Sequence, residues 1–97
     1  MKRLKLFGTQ YTYKEVPQYS KELEGNAGMC NFDEKVIYVI KDYNNLRDKE
    51  RIKLHEIIHG MFWEAGLRAY AEDETLVEWL AQSLGKIVTE YEKVRTK

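Results

Sequence analysis

Both histidines of the chain lie in one hexapeptide, His55-Glu56-Ile57-Ile58-His59-Gly60. Four residues apart on a helix, their imidazoles stand one above the other on the same face. Two neutral imidazoles at that spacing bind one Zn²⁺ at about 2.0–2.1 Å each, leaving room for a third protein ligand and a water. Glu56 adjoins His55 and is offset around the helix. From there it reaches the water without ligating the metal, the general-base position of a zincin. A solvated surface helix can carry the same pattern by chance. Against that stand Ile57, Ile58, Met61, Phe62 and Trp63, which mark the helix as buried, and buried imidazoles need partners.

The absence of a third histidine excludes three-histidine sites. Cys30 offers one thiol, although a lone thiolate beside two histidines is less usual in hydrolytic sites. A carboxylate therefore completes the set as His₂Glu or His₂Asp. Glu72, Asp73, Glu74 and Glu78 supply candidates. Glu74 and Glu78 fall one helical turn apart and repel mildly there. A nearby cation turns that repulsion into attraction. Spacing leaves both open, and a merely solvated acidic first turn competes with either.

These residues need elements to hold them. Leu4 and Leu6 alternate with Arg3 and Lys5, and Tyr11 and Tyr13 with Thr12 and Lys14, around Gly8-Thr9-Gln10. That pattern predicts a hairpin. Residues 17–28 read as a connection with a helical turn, and Met29–Phe32 as a short strand. Val36-Ile37-Tyr38-Val39-Ile40 is the strongest strand signal, covered on both faces or in part by a ligand. Asn45 or Asp48 caps a helix whose apolar positions run from Ile52 to Ala65, with Gly66 as its stop. A second helix opens at Glu72-Asp73-Glu74 and carries the stripe Val77, Leu80, Ala81, Leu84, Ile87, Val88 and Tyr91. The expectation is an α+β fold: a small, mainly antiparallel sheet from the N-terminal half, packed with two main helices, the first bearing the His-Glu-x-x-His motif.

Composition sets the limits. A chain of 97 residues makes one domain, here 1–97, and its apolar fraction of 43% suffices for one modest core. Sixteen basic residues balance sixteen acidic ones, so no net field favours nucleic acid or an anionic membrane. Neither is expected as a partner. The single cysteine forbids an intrachain disulfide and suits a reducing compartment. The basic start runs into Gly8-Thr9-Gln10 before any signal-peptide stretch develops, so a cytoplasmic location is expected.

Leu54-His55-Glu56-Ile57-Ile58-His59, followed by Glu78-Trp79-Leu80-Ala81-Gln82-Ser83-Leu84, resembles the ImmA/IrrE-type zinc metallopeptidases, especially short phage-encoded members. That family follows its His-Glu-x-x-His helix with Glu-x-x-Ala-Asn-x-Phe-Ala. Glu78 and Ala81 match, whereas Gln82, Leu84 and Gly85 replace Asn, Phe and Ala. Gly28-Met29-Cys30-Asn31 and Lys35–Val39 also look like the short-family pattern, so the likeness spans about residues 28 to 90. It implies zinc held by His55, His59 and Glu78, Glu56 as catalytic base, and cleavage of a protein or peptide substrate such as a repressor.

The chemistry expected is hydrolysis of a peptide bond by zinc-activated water. Tyr38, Tyr43, Tyr70 or Arg68 would assist the oxyanion, and strand 36–40, if at the sheet edge, would hold an extended peptide. Two competitors remain. One is a non-catalytic interaction module that keeps the fold, against which the presence of Glu56 speaks. The other is a zinc hydrolase acting on a non-peptide amide.

Overall fold

The structure is a computed structural model that describes residues 2–95. β1 (Lys2–Leu6) and β2 (Thr9–Val16) form a hairpin. Its turn residues Phe7 and Gly8 both have positive φ, 49° and 84°, which marks the type I′ turns that suit strand twist. A single 3-10 turn at Lys21–Leu23 drops Leu23 into the core. β3 (Gly28–Asn31) and β4 (Val36–Ile40) then form a second hairpin. The Asn31 side chain accepts the Glu34 N–H in its loop, at 2.8 Å.

The strand order is β1-β2-β4-β3, and β2 runs parallel to β4, with Thr12 beside Val36 and Val16 beside Ile40. The sheet is therefore mixed: two of its three pairings are antiparallel, as a mainly antiparallel sheet requires, and the central one is parallel, which the expectation did not include. Alternation and turn residues encode each hairpin, but carry no information on how two hairpins lie side by side. β4 is an inner strand with all five residues buried, not the edge. The edge near α1 is β3.

α1 (Leu46–Glu64) starts where the Asn45 side chain accepts the Asp48 N–H and ends ahead of Gly66 at φ 83°. It is the middle of three layers. Ile52 and Ile57 join the core on the sheet, built around Tyr11, Ile37 and Val39. Ile58, with Leu54 and Phe62, packs on Val77 and Ala81 of α3 (Glu74–Glu92). A four-residue helix, α2 (Arg68–Ala71), links them and was not expected from the periodicity. Asp73 caps α3 by accepting the Leu76 N–H at 3.0 Å. Among the described residues, no helix is long and apolar enough to cross a membrane.

Two glycines set how closely α1 approaches the strands. A Cβ on Gly60 would lie 2.6 Å from Leu6 Cδ1, and one on Gly28 would lie 2.8 Å from Ile52 Cγ2 and 2.9 Å from Glu56 Oε2. At both points the glycine backbone of one element is packed directly against side chains of the other. At the C-terminal end of α1, Glu64 accepts from the Tyr11 hydroxyl and from Lys35 Nζ, each at 2.7 Å. This network ties α1 to both hairpins.

Candidate metal centre

His55 and His59 project from one face of α1 toward the start of α3, as their spacing requires. Three atoms converge there. His55 Nε2 and His59 Nε2 are 3.1 Å apart, and Glu74 Oε1 lies 3.1 Å from the first and 2.7 Å from the second. The antiparallel run of α1 and α3 makes this possible: Glu74 is the first residue of α3, and α2 folds that helix start back beside His59.

The other ring nitrogens fix the tautomer that each neutral ring adopts. His59 Nδ1 lies 2.5 Å from the Ala71 carbonyl oxygen. A carbonyl only accepts, so His59 must donate there. His55 Nδ1 lies 2.7 Å from Glu78 Oε1. The other oxygen of Glu78 accepts from Arg51, at 2.6 Å, and from Gln82, at 2.7 Å. Burial alone would raise the Glu78 carboxyl pKa. Hydrogen bonds from Gln82 and His55, with the Arg51 charge, outweigh it and hold the group below its ordinary value. Glu78 is thus ionised near neutrality and accepts from His55.

With both Nδ1 atoms donating, neutral rings turn two Nε2 lone pairs toward each other and toward a carboxylate oxygen. Three electron-rich atoms with no hydrogen between them repel unless a cation or added protons sit among them. This donor set fits a metal ion. All its ligand atoms lie within 4.8 Å of one another, and tetrahedral bonds of about 2.0–2.1 Å would set them roughly 3.3 Å apart. Small side-chain movements open the observed separations to that value. Glu74 is free to make them, with a side chain 70% exposed, whereas those of His55 and His59 are 17% and 12% exposed.

Glu78, expected as the third ligand, is therefore not in the convergent group; Glu74, one turn earlier, takes that place. Glu78 sits level with Arg51 on the antiparallel α1 and reaches only the far nitrogen of His55. Glu56 is buried at 7% exposure and borders the same cavity, of about 530 Å³. Burial pushes its carboxyl above the ordinary range, with His59 and His55 acting in the opposite sense. Cys30 borders the cavity but lies outside the convergent group. Its burial raises the thiol to about 12.

Of the four residues considered for the oxyanion, only Tyr43 reaches this cavity. Tyr38 bonds Glu34, Tyr70 packs near Phe62, and Arg68 lies over the Trp63 ring at 4.2 Å. Arg51 and the Ala71 carbonyl were missed. An arginine on an exposed helix turn resembles any solvated charge, and a backbone oxygen leaves no mark in side-chain pattern. No family model matches the chain, and neither the curated proteins nor the solved structures include a match to it.

Proposed function

We propose that the chain is a zinc-dependent hydrolase that cleaves peptide bonds in a protein substrate. One observation carries this reading: the Nε2 atoms of His55 and His59 and a carboxylate oxygen of Glu74 converge within 3.1 Å of one another, beside the buried Glu56. Zinc, when bound, supplies Lewis acidity and brings the pKa of water toward neutrality. His55, His59 and Glu74 would hold it.

The rest of the chemistry belongs to the chain. Glu56 accepts the proton of the attacking water and passes it to the leaving amine. Glu78 and the Ala71 carbonyl fix the ring orientations by accepting from each Nδ1. Tyr43 and Arg51 border the cavity and are candidate polar donors to the oxyanion and to substrate carbonyls. The resemblance to ImmA/IrrE-type metallopeptidases supports a protein substrate, although there Glu78 would be the third ligand.

Zinc per chain, measured by elemental analysis on wild type, Glu74→Ala and Glu78→Ala, tests the site. The expected result is near one equivalent in wild type, loss in Glu74→Ala and retention in Glu78→Ala. Loss in Glu78→Ala with retention in Glu74→Ala would return the ligand role to Glu78. No zinc in wild type after dialysis against it would sink the metallohydrolase reading. Turnover on a denatured protein substrate should disappear in Glu56→Gln while zinc stays bound.

A further inference from the structure

The short helix α2 decides where the metal centre closes, and little holds it in place. Of its four side chains only Ala71 is buried, and no side chain caps its start at Leu67. Four residues make about one helical turn, too few to persist by their own hydrogen bonds. The position of α2 therefore depends on neighbouring elements. Tyr70 leans on Phe62 with ring centroids 5.8 Å apart, yet stays 52% exposed.

A firmer contact runs through Trp63, in the last turn of α1. Phe32, in the loop between β3 and β4, lies flat against the Trp63 ring, with centroids 4.2 Å apart and planes 4° from parallel. Arg68, the first residue of α2, places its guanidinium over the same ring, also at 4.2 Å. A planar guanidinium is drawn to an indole both by its charge and by stacking. These three side chains join the second hairpin, α1 and α2 in one series of contacts.

The far end of α2 meets the metal centre. The Ala71 carbonyl accepts from His59 Nδ1. From there α2 runs on into α3 without slack, because the Asp73 N–H donates to the Tyr70 carbonyl at 3.1 Å and Glu74 follows directly. Among the described residues, the Glu74 carboxylate has no side-chain partner besides the two Nε2 atoms. Its position follows from where α2 leaves the start of α3. With both rings neutral and no cation among them, repulsion at this convergence favours withdrawal of α2 together with Glu74. The stack on Trp63 resists that withdrawal.

We propose that Trp63 and Arg68 are positioning residues of the metal centre, a role that rests on the metal-binding reading above. Backed by Phe32, they hold α2 so that the Ala71 carbonyl and Glu74 meet the histidines, and they raise the affinity for zinc without touching it. Apparent affinity is reduced in proportion to the fraction of molecules whose site is closed. Linkage makes the effect reciprocal, so zinc must in turn favour closure of α2.

Zinc affinity by chelator competition and amide hydrogen exchange by NMR, both on the full chain, test this. Arg68 is exposed, so Arg68→Ala should weaken zinc binding about two- to five-fold. Trp63→Leu removes both contacts and should weaken it about five- to ten-fold. Arg68→Lys should recover part of the loss, and the double variant should bind no more weakly than Trp63→Leu alone. Zinc should slow exchange of the Ala71 and Glu72 amides, which donate to the Leu67 and Arg68 carbonyls. Ile40→Val, in the sheet core, should lower the melting temperature and leave affinity within about twofold. Arg68→Ala carries the test if circular dichroism shows Trp63→Leu unfolded. Unchanged affinity in Arg68→Ala and Trp63→Leu overturns the role while the metal centre stands. So does an equal loss in Ile40→Val, which would make affinity follow stability alone. Amides of α2 protected equally with and without zinc overturn it too, since closure would be complete before the ion arrives. A wild type that binds no zinc overturns the metal centre and this role with it.

Discussion

His55 Nδ1 and Glu78 Oε1 lie 2.7 Å apart, and the second oxygen of that carboxylate is taken up by Arg51 and Gln82. Glu78 is thereby fixed from three sides and fixes one face of the His55 ring in turn. Its removal should loosen the ring rather than delete a ligand. Glu78→Gln is expected to weaken zinc affinity by about 10- to 100-fold, the usual effect of losing such a partner, without changing the stoichiometry at saturation. Competition against a chromogenic chelator measures it. Arg51→Ala should shift affinity in the same direction and by less, because Gln82 still holds the carboxylate.

Gly28 and Gly85 should respond oppositely to alanine. At Gly28 the new methyl meets Ile52 and Glu56 within 3.0 Å, so Gly28→Ala should cost about 1–3 kcal/mol. It should also lower turnover by displacing Glu56. At Gly85 nothing lies within 4 Å, and Gly85→Ala in this helix should add about 0.5–1 kcal/mol. Thermal unfolding reads both, and a shared sign would contradict the packing described.

Phe7 is a bulky residue at φ 49° and is 66% exposed. Asparagine tolerates that backbone conformation far better and is preferred in type I′ turns. Phe7→Asn should therefore stabilise the fold by about 0.5–1 kcal/mol, visible as an increase in the urea midpoint with an unchanged slope.

Glu64 gives a signature in acid. The hydrogen bond from Lys35, then that from Tyr11, hold its carboxyl below the ordinary value of 4.5. A depressed carboxylate stabilises the fold fully above its unfolded value, and that contribution disappears as pH falls through the folded one. Wild-type stability should therefore fall as pH drops below about 4.5, and Glu64→Gln should show a shallower acid limb. Urea titrations between pH 3 and 7 compare the two slopes.

Much of this was legible in the residues, for identifiable reasons. Asn45, the apolar spacing from Ile52 onward and Gly66 delimit α1 because capping and periodicity are local properties. His55 and His59 share a face because helix geometry requires it. The choice between Glu74 and Glu78 was not legible. Both lie on one edge of α3, and only the placement of that helix by α2 decides which carboxylate meets the Nε2 atoms. The strand order was hidden for a similar reason. Val36–Ile40 reads as a strand buried on both faces, but nothing in those residues names β2 as its parallel neighbour. The stripe from Leu84 to Tyr91 reads as core throughout, yet α1 covers it only to Leu84.

The parallel contact between β2 and β4 also orders events in time. Each hairpin closes through a short loop and can form within microseconds. Their lateral docking joins residues 24 positions apart, as Thr12 and Val36 are, and must overcome the larger chain entropy of that closure. Until it happens, Tyr11 and Lys35 stay apart and Glu64 has no double anchor. The two imidazoles then sit on a helix without a floor. The slow step of folding should therefore be the zipping of one hairpin onto the other, with Tyr11→Phe and Val39→Ala retarding it more than changes in the outer strands.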